Sequence, residues 1–113
     1  MPGQEELEKT LEKYEANFVP TTLAMRKVFP YFYYLVNHRS WKNALFCLDD
    51  LQAVVEQYIA SHPRSQPEKI REKIDSIRVT LAMPSVDYWK RKAVNLKLQD
   101  LVSSLVKIGA PLR

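Results

Sequence analysis

Apolar positions recur at alternating spacings of four and three through most of this chain, the pattern of helices that each bury one face. In the first stretch they run Leu7, Leu11, Tyr14, Phe18, Met25, Val28, Phe32 and Leu35, with Thr21 in register. Pro20 and Pro30 fall on that path and each removes a backbone donor. The expectation is a long, proline-interrupted first helix, about residues 4–18 and again about 20–38, bent or broken at Pro20.

Three further stripes follow. Ser40 is placed to cap a second helix carrying Trp41, Leu45, Leu48, Leu51, Val55, Tyr58 and His62. Ser65 three residues before Glu68, with Pro67 between them, reads as a capping box that opens a third helix carrying Ile70, Ile74, Ile77 and Leu81. Ser85 is the expected cap of the last helix, whose apolar face is read as Trp89, Ala93 and Leu96 with Val94, Leu98, Leu101, Leu105 and Ile108 beside it. Gly109 followed by Pro111 is its stop signal. Short connectors between amphipathic helices make antiparallel neighbours, so the pattern predicts an all-α, up-down-up-down four-helix bundle. Residues 1–113 form one domain on this reading, with residues 1–19 as an acidic helical segment that overhangs the bundle or folds back on it.

Composition narrows the function classes. Only two glycines occur in 113 residues, which leaves no supply of hairpin turns and no phosphate-cradling loop. Apolar residues at 46% and charged residues at 27% are those of a folded domain. The net charge is +4, but residues 1–19 hold five Glu against two Lys, while residues 85–113 hold six Lys or Arg against two Asp. An acidic start and a basic end offer complementary surfaces, within one chain or between chains. No run approaches the roughly 20 apolar residues that span a bilayer, and MPGQEELEKTLEKYE is polar and acidic, unlike a secretion signal. The expectation is a soluble, cytoplasmic protein with no membrane span, a cleaved leader upstream of Met1 staying open.

Catalytic and metal chemistry find little to stand on. His38 and His62 are the only histidines, and no HxxxH, HxxE or CxxC spacing brings ligands together. They are read as helix-end residues that cap carbonyls. Asp49 and Asp50 point about 100° apart on a helix, and Ser61, Ser103 and Ser104 have no histidine in a recognisable arrangement. The lone Cys47, between Phe46 and Leu48, reads as a small buried apolar residue. The expectation is a non-enzyme without cofactor or metal.

Two stretches are candidates for binding. FPYFYYLVNHRSW, residues 29–41, concentrates rings that serve as core, boundary or partner anchors. Phe29, Tyr31, Tyr33, Tyr34 and Trp41 are the predicted partner-binding residues, with Glu5, Glu8 and Glu12 as a second, acidic surface. YWKRKAVNLK, residues 88–97, sets Lys90, Arg91 and Lys97 beside Tyr88 and Trp89, a pattern able to meet phosphates and stack a base. Because Trp89 is read onto the apolar arc, Lys90 and Arg91 are expected on a solvated face.

YYLVNHRSWKNALFCLDDLQAVVE resembles the second-helix region of small bacterial four-helix bundles related to cytochrome c-prime, in its apolar-aromatic stretch, tryptophan-bearing turn and acidic helix. The resemblance covers about 25 residues and is one of apolar spacing. That family attaches haem through Cys-x-x-Cys-His near the end of its last helix, and LVSSLVKIGAPLR here has neither residue type. What the resemblance implies is the bundle, and a dimer made by its first helices, without the cofactor. Noncovalent haem would need His38, His62, Met25 or Met83 as axial ligand.

The leading expectation is therefore a non-enzymatic bundle that acts through protein–protein interaction, as a homodimer or a subunit of a complex. A small-molecule or haem-type carrier with an apolar, aromatic-lined pocket is the alternative, and a nucleic-acid-binding accessory protein is the third.

Overall fold

The computed structural model describes residues 21–62 and 64–112, and within them the chain is helical: α1 (Thr21–Asn37), α2 (Trp41–Ala60), α3 (Pro67–Ala82) and α4 (Asp87–Lys107). The first expected helical stretch, Pro20 and the acidic Glu5, Glu8 and Glu12 lie outside the described residues. Among those described there is no strand. Each helix packs on the next, and α4 closes back on α1 through the thinnest of the four seams. The four-helix, all-α architecture is the one the apolar stripes predict.

Pro30 does not end α1. Its missing N–H would have paired with the Arg26 carbonyl, and both residues lie on the exposed face, where solvent can take up the freed acceptor. Inside, Met25, Val28, Phe32 and Leu35 are fully buried, as the spacing predicts, with Ala24, Phe29 and Val36 beside them. Leu48, Leu51, Val55 and Tyr58 of α2, and Ile70, Ile74, Ile77 and Leu81 of α3, complete the core with Val94, Leu98, Leu101 and Leu105 of α4.

Helix ends differ from the sequence reading at their starts. Ser40 does sit at the cap of α2, but its side chain makes no capping bond. The Ser65–Glu68 capping box does not form: α3 is capped by Gln66 in the left-handed region at φ 55°, and Ser65 is buried. Ser85 is likewise not the cap of α4, a place taken by Val86 in extended conformation. Pro67 and Asp87 supply pre-set φ and negative charge in the first turns instead.

Helix stops are firmer. At the end of α4, Gly109 adopts φ 97° while its N–H reaches the Val106 carbonyl at 3.0 Å and that of Ala110 reaches Leu105 at 3.0 Å, a Schellman motif. The end of α1 repeats it with Arg39 at φ 58°, its N–H on Val36 at 3.1 Å and that of Ser40 on Leu35 at 2.9 Å. No glycine announces this second stop, so the sequence pattern alone passes over its geometry.

Polar groups staple α3 on both flanks. Arg71 forks onto Glu56 of α2 at 2.7 and 2.9 Å, and Arg78 reaches Asp49 at 2.8 Å. On the other side, Lys73 donates to Asp100 at 2.6 Å and Lys97 to Thr80 Oγ1 at 2.6 Å. Hydrogen bonds from Arg71 hold the Glu56 carboxyl below the usual Glu value, partial burial opposes them, and the guanidinium charge adds to them. A depressed folded pKa contributes stability that is complete above the unfolded value of about 4.3 and is lost as pH falls through the folded one. Urea unfolding free energy should therefore drop between about pH 5 and pH 3, and Glu56→Gln should flatten that drop. An unchanged pH profile in the variant would mean that the pair contributes nothing.

Candidate partner-binding face

On α1 the aromatic run divides by helical register. Phe29 and Phe32 turn into the core, Tyr31 is half-buried, and Tyr33 and Tyr34 stand outside at 54% and 48% exposure. Arg26, Phe29, Pro30 and Tyr33 fall at i, i+3, i+4 and i+7 and so share a face. That face forms one wall of an open groove of about 590 Å³. The other wall is Leu98, Gln99 and Val102 of α4, and the floor end is Pro111 and Leu112, brought round by the Gly109 turn. Arg26 Nε donates to the Pro111 carbonyl at 3.3 Å, tying the tail to α1. Further along the same seam Asn95 Nδ2 donates to Asn37 Oδ1 at 3.2 Å. There, Tyr88, Arg91, Lys92 and Leu96 border a second hollow of about 420 Å³.

The predicted anchors are thus not one surface. Tyr33 borders the groove and Phe29 lines it from beneath, while Tyr34 stacks on His38 with ring centroids 4.0 Å apart. Trp41 is half-buried against the core, and its indole N–H donates to Asp87 Oδ1 at 2.9 Å. His38 hydrogen-bonds the Tyr34 carbonyl at 2.9 Å and His62 the Tyr58 carbonyl at 2.7 Å, each through Nδ1 and each stacked on that tyrosine. These are the carbonyl caps the sequence predicts, with His38 closing α1.

The basic candidate stretch needs correction. Lys90, expected on a solvated face, is buried at 8% exposure, its Nζ 3.2 Å from the Leu81 carbonyl and 5.3 Å from the Trp41 ring centre. Trp89 and Leu96, expected in the apolar arc, are each 60% exposed. The leucines downstream set the phase of α4, and stepping back four from Val94 brings Lys90 inside. Lys97 is also engaged within the fold, on Thr80 and Ser76. Of the three, Arg91 lines the second hollow.

Cys47 is fully buried and burial, with Asp50 nearby, pushes its thiol up to about 12, so it stays protonated and behaves as the apolar core residue expected. Met25 is in the core and Met83 at the surface, on different elements. Among the described residues no three His, Cys, Asp or Glu side chains cluster as metal ligands, and no helix is long and apolar enough to cross a membrane. The groove residues of α4 and the tail are absent from the sequence-derived set, because only tertiary closure brings Leu98, Val102 and Leu112 to Tyr33. In comparisons with known proteins no family model matches this chain, and no curated protein or solved structure matches it at a significant level.

Proposed function

We propose that this chain is a non-enzymatic helical module that acts by binding protein, with a second copy of itself as the partner and the α1–α4 groove as the contact. The observation that carries this reading is an apolar, open groove at the α1–α4 seam, which is thinner than those between consecutive helices, bordered by Tyr33 and floored by Phe29 and Leu112. Amphipathic tyrosines beside an aliphatic trough are favoured anchors, because burial of the ring leaves the hydroxyl able to reach water. Opposite charge on residues 1–19 and 85–113 gives two chains complementary surfaces to exchange. The helix at this face is also the one through which the cytochrome c-prime resemblance implies dimerisation.

The size of the groove supports a second reading, an apolar small-molecule carrier, since ligand sites commonly measure about 300–1,000 Å³. Nucleic-acid binding draws less support, as Lys90 and Lys97 are already committed to partners within the fold.

Light scattering on the full chain separates the readings. A dimer that Tyr33→Asp converts to monomer, with helicity unchanged, is the expected result. A monomer at high concentration whose tyrosine emission responds to an added apolar ligand would replace the dimer by the carrier.

A further inference from the structure

At the opposite end of α4 from the groove, about 20 Å away along the helix, the pattern of polar and apolar residues is inverted. Lys90 is turned inward to Leu81 and Trp41, while Asp87, itself exposed, accepts from the Trp41 indole, and the neighbouring apolar residues face out. Every residue from Ala82 to Trp89 is exposed. Met83, Val86, Tyr88 and Trp89 are prominent among them, with Val86 at 68%. A chain that buries a lysine while leaving a tryptophan and a valine in water departs from the usual partition, and such local conflicts mark functional surfaces.

The charge around this tip is mainly positive, with Asp87 as the acid among Arg39, Lys42 and Lys92. The bond between Trp41 and Asp87 brings the α1–α2 turn against the start of α4, so exposed Arg39 and Lys42 lie at the same end as Lys92, whose Nζ is 5.7 Å from the Trp89 ring centre. The first turn of α2 holds no acid, and Asp87, the acid in the first turn of α4, has its Oδ1 occupied by the Trp41 indole.

We propose that this end of the bundle docks on an anionic lipid surface, with Met83, Val86 and Trp89 entering the interface and Arg39, Lys42 and Lys92 meeting the headgroups. Aromatic rings settle at headgroup depth, aliphatic side chains gain by entering the acyl boundary, and nearby cations are drawn by the negative surface potential. Nucleic acid fits less well, because aliphatic Met83 and Val86 have nothing to stack upon and phosphates offer them no apolar phase.

The test is co-sedimentation of the full chain with vesicles of phosphatidylcholine, with and without phosphatidylserine, together with tryptophan emission. Binding is expected only to the serine-containing vesicles, accompanied by a blue shift, and weakened by added salt. Val86→Asp with Trp89→Ala should weaken it more than about tenfold, and so should Arg39→Glu with Lys42→Glu, at about fivefold per cation. Trp89→Phe should remove the blue shift while leaving circular dichroism intact. Equal binding to both vesicle types would overturn the proposal, as would no binding at low salt. Retention by single-stranded RNA in place of vesicles, lost on Trp89→Ala, would overturn it in favour of nucleic acid.

Discussion

Phe32→Ala is expected to lower the unfolding free energy by about 3–5 kcal/mol, whereas Tyr33→Ala, one residue along, should change it by no more than about 1 kcal/mol. Both residues belong to the same aromatic run and carry rings of similar size. Phe32 has no exposed surface and is among the largest fully buried side chains, so truncation leaves a cavity lined by residues of α1 and its neighbours. The ring loses its transfer free energy and its dispersion contacts together. Tyr33 stands more than half in water, and alanine is the better helix former at an exposed position. A domain of this size is stable by about 5–15 kcal/mol, so the first change removes a large part of the margin. Urea unfolding of the full chain followed by helical circular dichroism gives both numbers. Comparable losses from the two variants would mean that the run is buried on both sides, and the groove would lose its aromatic border.

That contrast also shows how far the sequence is readable. α3 is the clearest case: Ile70, Ile74, Ile77 and Leu81 at 4-3-4 spacing, mostly polar residues between them, and all four buried as the spacing requires, with Val79 off the stripe and exposed. α4 is the instructive failure. Hydrophobicity alone weights Trp89 and Leu96 into the core, yet Val94, Leu98, Leu101 and Leu105 are spaced four, three and four apart; strict alternation would step back three to half-buried Arg91, and it is the step of four, to Lys90, that the packing buries. Lysine there makes sense only with knowledge of what faces it, the end of α3 and the face of Trp41, and those neighbours are fixed by tertiary packing. The caps fail for a related reason. Serine before a helix is a common signal, but α3 and α4 each begin at a proline or aspartate one or two residues later than the serine suggests. The candidate site was half legible: Tyr33 and Phe29 are in the aromatic run, while the α4 wall and the tail are contributed by residues that carry no chemical signature of their own.

Lys90→Glu is expected to cost about 3 kcal/mol or more, and Lys90→Met to stay within about 1 kcal/mol of the parent chain. α3 has no basic residue in its last turn, so its final carbonyls face no cation of their own helix. The Lys90 ammonium from α4 supplies that charge, 3.2 Å from the Leu81 carbonyl, and its other side lies against the Trp41 ring. Trp41 is in turn bonded to Asp87, so one lysine and one tryptophan join α2, α3 and α4 at a single point. Glutamate would set a carboxylate against a carbonyl oxygen, the negative end of a helix dipole and the negative face of an indole, each of them repulsive. Methionine keeps the apolar stem that packs there and gives up only the charge-assisted bond, which removes the desolvation cost of a buried ammonium at the same time. Urea unfolding of the two variants measures the difference. Similar losses would show that the charge and not the stem holds the junction, whereas stability retained in Lys90→Glu would mean that residue 90 reaches water and that only α2 and α4 are joined there, by Trp41 and Asp87.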